Sequence, residues 1–120
     1  MWPYLWVALG SALGGVSRFF VAAWAGEKLG AAWLGTVVVN VTGSFIIGFI
    51  AALGPVPFAR QLFIVGVLGG YTTFSSFSLQ TLELAHEGRW LAAGANVLLS
   101  VFVALVAVWL GHVCGAAIRR

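Results

Sequence analysis

The sequence predicts an all-α membrane protein built as a single domain over residues 1–120, with four transmembrane helices, and three observations carry that prediction. Hydrophobic residues make up 62% of the 120-residue chain and charged residues only 8%, too few polar side chains to cover a water-soluble globule. The apolar residues fall into four runs, Trp2 to Ala25, Ala31 to Leu53, Gln61 to Ala85 and Trp90 to Ala117, each long enough to cross roughly 30 Å of hydrocarbon. The stretches between them are short: Gly26 to Gly30, Gly54 to Arg60 and His86 to Arg89. Connections of that length join helices that alternate in direction as a compact bundle.

The first run opens Met1-Trp2-Pro3-Tyr4, without a basic side chain, and is longer than the core of a cleavable signal, so it is read as a helix of the mature protein. Trp2, Trp6, Trp24, Trp33 and Trp90 lie near run ends, where amphipathic rings favour the lipid–water boundary, whereas Trp109 does not. Arg18 lies about two thirds along this run. A guanidinium at that depth snorkels, pairs or faces a wet cavity. Apart from Glu27, in the first connection, the first two runs contain no carboxylate, which leaves an anion or backbone carbonyls as the partner of Arg18.

The second run carries Asn40 within Gly35-Thr36-Val37-Val38-Val39-Asn40-Val41-Thr42-Gly43-Ser44-Phe45. An amide in lipid must find partners, either on a neighbouring helix or along a polar pathway. Small residues recur at four-residue spacing in Gly10/Gly14, Ser44/Gly48, Gly66/Gly70 and Gly111/Gly115, the pattern of close helix approach in membranes. Packing within one subunit accounts for most such pairs, with association between subunits open for one or two.

The third run is the least ordinary. Gly69-Gly70-Tyr71-Thr72-Thr73-Phe74-Ser75-Ser76-Phe77-Ser78 sets two glycines and a run of hydroxyls inside apolar sequence, which predicts a break in the helix and backbone carbonyls in need of protein, water or an ion. If the helix resumes near Thr73, then Thr73, Ser76, Gln80, Glu83 and Glu87 share one face, with Phe77 at its edge and Phe74 beside that. Each hydroxyl alone could bond back to its own helix, but five polar residues in register read as a track for a small solute. Gly14-Gly15-Val16-Ser17-Arg18-Phe19 echoes the start of this motif, though its flanks do not continue the match.

Composition and motif also exclude. No carboxylate lies near the centre of any run, which disfavours a proton-coupled cation exporter, and no nucleophile–base pair or phosphate loop points to an enzyme. The single cysteine, Cys114, cannot form an internal disulfide, and His112 beside it does not make a metal site. The basic residues that give the net charge of +3 are scattered and so do not suggest nucleic acid. With the amino terminus inside, Arg60, Arg119 and Arg120 are cytoplasmic while Lys28 and Arg89 are outside. So even a balance predicts insertion both ways up, and hence an antiparallel dual-topology homodimer.

Taken together, Gly14-Gly15-x-x-Arg18-Phe19, Gly35-Thr36 with Asn40-x-x-Gly43-Ser44-Phe45, and Gly69-Gly70-x-Thr72-Thr73-Phe74-Ser75-x-Phe77-Ser78 resemble the Fluc (CrcB-type) fluoride channels in motif, motif order and chain length. The resemblance implies an antiparallel homodimer in the plasma (inner) membrane of a prokaryote, with two pores that let fluoride leave passively. It implies a structural sodium ion at the dimer centre held by the backbone carbonyls of Gly69 and Thr72. It implies an anion pathway along Asn40, Phe74 and Phe77, with Thr73, Ser75, Ser76 and Ser100 as hydroxyl donors and Arg18 in the aqueous vestibule. Two positions depart from the family: Gln80 stands where an acidic residue is frequent, and Asn96 stands where an aromatic hydroxyl is common. The alternatives are a small dual-topology multidrug exporter, which would need the missing carboxylate, and a non-transporting membrane subunit.

Overall fold

The computed structural model describes residues 2–55 and 57–120. Among the described residues four helices are long and apolar enough to cross a membrane: α1 (Trp2–Leu29), α2 (Ala32–Ala52), α3 (Pro57–His86) and α4 (Trp90–Arg119). Large apolar side chains such as Leu13, Phe19, Leu91 and Phe102 point outward, an arrangement that only lipid or another apolar partner tolerates. The long axis of the molecule is 46 Å, close to the full thickness of a bilayer with its headgroups. The chain is thus a multi-pass membrane protein.

α1, α3 and α4 run further than their apolar runs suggest, while α2 stops one residue short at each end, and the connections are shorter than expected. α1 continues through Gly26, Glu27 and Lys28 to Leu29, where the sequence predicts a loop. The chain then reverses over Gly30, whose φ of 81 suits glycine, and Ala31 N–H donates back to the Gly26 carbonyl at 3.0 Å. α3 begins at Pro57, not Gln61, since proline is well suited to a first helical turn. In that connection Val56 lies outside the described residues. Gly88, with φ 73, closes the turn before α4.

Small residues set the packing. A side chain at Gly10 or Gly14 would strike the carbonyls of Leu62 and Val67 on α3, and one at Gly70 would strike Ser11 on α1. Gly35 of α2 meets the Ala22 carbonyl of α1 in the same way. Gly48 lies on Val108, and Gly111 and Gly115 lie on Phe45 and Phe49, so α2 and α4 touch backbone to backbone. Lipid tails are as apolar as leucine, so helices in a membrane gain more from this closeness than from burying large side chains. Among the described residues the largest fully buried side chains are accordingly Val39 and Asn96.

Candidate functional site: a polar cleft beside Thr72 and Thr73

Along α3 the backbone passes through a π-helical stretch, Arg60–Leu68, and a helical turn, Gly69–Tyr71, before it straightens. Thr72 (φ −78, ψ 155) and Thr73 (φ −149, ψ 123) are extended, and the helix resumes at Phe74. Thr73 caps the resumed helix: its hydroxyl oxygen accepts the Ser76 N–H at 3.2 Å. Thr72 turns back, its N–H and hydroxyl both donating to the Leu68 carbonyl, at 3.0 and 2.9 Å.

α2 supplies what the extended residues lack. Asn40 donates from Nδ2 to the Thr73 carbonyl at 2.9 Å and accepts the Thr73 N–H on Oδ1 at 2.8 Å, a paired contact that imitates a strand neighbour. Thr42 and Tyr71 share a hydroxyl contact at 3.0 Å, and Gly43 leaves room for the Thr72 methyl group. Asn40, Thr42 and Gly43 therefore meet Thr73, Tyr71 and Thr72 one for one. Two carbonyls lose their usual helical donors: the Thr73 N–H, which would reach Gly69, goes to Asn40, and the Ser76 N–H, which would reach Thr72, goes to Thr73 Oγ1.

Beside this segment lies a cleft of about 310 Å³ between α2, α3 and α4. Asn40, Thr72, Thr73, Phe74, Phe77 and Ser100 line it, together with Ser44 and a floor of Ile47, Leu68, Val101 and Ala104. The Phe74 and Phe77 rings are 5.2 Å apart and tilted by 57°, Phe77 buried and Phe74 75% exposed. Ser100 enters from a π-helical turn, Leu99–Val103, a widening of the helix found often at functional positions.

The other expected residues lie elsewhere. Ser75 and Ser76 are tied to the Thr73 hydroxyl at 3.3 and 3.2 Å and do not line the cleft. Gly69 is exposed on the outer surface of α3, and Arg18 is half-buried on α1, away from the cleft and without a side-chain partner among the described residues. The stripe from Thr73 to Glu87 does not form one continuous track. Glu83 is exposed, Glu87 pairs with Arg89 at 3.4 Å in the turn after α3, and the buried Oε1 of Gln80 has no partner among the described residues. The echo of the motif in α1 has no structural counterpart, since that helix runs through Gly14 to Phe19 without interruption.

Behind the cleft stands a group that the hydroxyl pattern did not bring out. Thr81 Oγ1 donates to the Phe77 carbonyl at 2.8 Å, Asn96 Nδ2 donates to Thr81 Oγ1 at 3.0 Å, and Ser100 Oγ donates to Asn96 Oδ1 at 3.1 Å. Asn96 is fully buried. Its four-residue spacing from Ser100, repeated between Phe77 and Thr81, is the signal that sequence offers for this group.

Residues 5–112 match the family model described as CrcB-like protein, Camphor Resistance (CrcB). Relatives described as "Fluoride-specific ion channel FluC" match almost end to end. That of Rhodospirillum rubrum is 52% identical over 98% of this chain and 97% of its own, and that of Methylocella silvestris is 48% identical over 98% and 95%. That of Paramagnetospirillum magneticum is 49% identical over the full length of both. With the family model covering nearly all of the four-helix core that builds the cleft, the chain belongs to the CrcB-like family.

Proposed function

We propose that this protein is a fluoride-selective channel through which cytoplasmic fluoride leaves passively, conferring fluoride resistance, as the names of its relatives suggest. The observation that carries the reading is the cleft, which gathers hydroxyls, an amide and two phenylalanines beside an extended backbone segment inside the bilayer. The edge of an aromatic ring is electropositive, so Phe74 and Phe77 attract a small anion without gripping it. Asn40 spends one N–H on Thr73 and has a second to offer, and the Ser100 hydroxyl faces the same space. Donors at close quarters replace part of the water shell of fluoride, while the narrow path disfavours larger anions.

The driving force needs no coupling group. Hydrogen fluoride crosses lipid uncharged, dissociates at neutral pH and leaves the anion trapped inside. A negative-inside potential across the plasma membrane then drives it out through an open pore.

The working unit in this reading is an antiparallel homodimer with two pores. Its support is the near-even distribution of basic residues and the exposure of Phe74, which a second subunit would cover. The carbonyls of Gly69 and Thr72, freed of their helical donors, fit a sodium ion shared between subunits, because a hard cation takes oxygen ligands. Such an ion would supply fixed positive charge and hold the interruption of α3 open. Asn40 and the Thr73 cap do the rest, holding the extended residues in place from within each subunit.

The test is efflux from liposomes containing the purified protein, followed in parallel with fluoride and chloride electrodes. Fast fluoride release with little chloride release is the expected result. Absence of fluoride release from correctly assembled protein would reject the channel.

A further inference from the structure

The Ser100 hydroxyl has one proton, and its direction is dictated from a distance. The chain of bonds begins at the Phe77 carbonyl, which can only accept, so Thr81 must donate to it, at 2.8 Å. The Thr81 oxygen is then left with lone pairs for Asn96, whose Nδ2 donates at 3.0 Å and also points toward the Phe77 carbonyl at 3.4 Å. That turns Asn96 Oδ1 toward α4, where it takes the Ser100 proton at 3.1 Å. Flipping the amide would set its oxygen against the Phe77 carbonyl and draw the Thr81 proton away from that carbonyl, so the order found here is the one that keeps every acceptor in the chain satisfied. Asn96 is 0% exposed, and water has no access with which to rearrange it. At rest Ser100 therefore presents lone pairs, not its proton, to the cleft it lines.

We infer that Asn96 is a positioning residue that weakens anion binding in the cleft, by holding the Ser100 proton on its own Oδ1 and making a passing anion compete for it. This rests on the channel reading above. A pore passes ions quickly only if each site is left as readily as it is entered, and an internal acceptor four residues from Ser100 supplies that balance. An anion that draws the Ser100 proton away leaves Asn96 Oδ1 buried and unpaired, which favours return of the proton once the anion moves on.

The experiment measures fluoride efflux from liposomes against internal fluoride concentration for the wild type, Asn96→Leu, Ser100→Ala and the double variant. Asn96→Leu is expected to lower the half-saturating fluoride concentration by about threefold to tenfold, the worth of one neutral hydrogen bond. The double variant is expected to behave as Ser100→Ala alone. An unchanged concentration dependence in Asn96→Leu would overturn the inference, as would the same shift in the Ser100→Ala background, since either result would mean that Asn96 does not act through the Ser100 proton. Should Asn96→Leu not assemble, Thr81→Val removes the acceptor that orients Asn96 with little change in shape. A smaller shift in the same direction is expected there, and its absence would equally overturn the inference. A wild type that releases no fluoride rejects the channel reading itself and this inference with it, an outcome distinct from those in which only the variants disagree.

Discussion

Asn40 shows how one side chain can belong to a pathway and to a scaffold at once. Its amide completes the hydrogen bonds of Thr73 while its position lines the cleft. Asn40→Asp would exchange the N–H that reaches the Thr73 carbonyl for a second oxygen and place like dipoles face to face. We expect that variant to lose fluoride efflux and also about 1–3 kcal/mol of stability, read as a lower unfolding midpoint of the detergent-solubilised protein. The rings admit a cleaner separation, since Phe74 and Phe77 make no hydrogen bonds through their side chains. Phe74→Ile and Phe77→Ile should assemble normally and lower fluoride efflux at least tenfold, and unchanged efflux in both would remove the aromatic role. The sequence marked Asn40 as an amide in an apolar run, and Phe74 and Phe77 by their place beside the polar stripe and in a motif that resembles the family's. It could not mark the pairing of Asn40 with Thr73, residues 33 positions apart and joined only when α2 lies against α3.

At the scale of the helix, the question is how α3 tolerates two extended residues in lipid. Gly69 and Gly70 weaken the helix locally, and Thr72 and Thr73 offer side chains that compete for backbone groups. Tertiary contact decides the outcome: Asn40 takes the groups that the helix gives up, and the Thr73 hydroxyl starts the next turn. Thr73→Ala removes that cap and should cost about 1 kcal/mol, measured as a lower unfolding midpoint. Close contact between helices depends on glycine. Gly14→Val and Gly48→Val drive a branched side chain into a carbonyl of the facing helix, so both should fail to yield assembled protein, whereas Gly94→Ala, in open space, should not. Glycine spacing was legible as a sign of close approach, but which helix each pair faces was not.

For the whole molecule, the apolar surface and the basic residues at the helix ends make the remaining expectations. Reporters fused after Arg120 that fluoresce only in the cytoplasm, or acquire activity only outside it, should both give signal if the chain inserts in two orientations. A signal from one reporter alone would remove the antiparallel dimer. Phe74 lies at the protein surface with 75% of its area exposed, so a cysteine introduced at this position should cross-link or be shielded in the dimer and be labelled in a dissociated subunit.

Four helices, their order and their place in the bilayer follow from the sequence alone, because transfer from water to hydrocarbon depends on composition over about twenty residues and needs no partner. Asn40 was legible for a related reason, an amide being costly in lipid, whereas Phe74 and Phe77 were marked by their place beside the polar stripe and by the resemblance of their motif, and Ser100 by the resemblance alone. Where each polar group sends its bonds was decided by tertiary structure. Ser75 and Ser76 serve Thr73 instead of the cleft, the Glu83 and Glu87 end of the stripe turns to the surface, and the Ser100 proton is directed by Thr81 and Asn96. Hydrogen bonds are short and directional, so their partners are fixed only when the glycine contacts have brought the helices to their final separation.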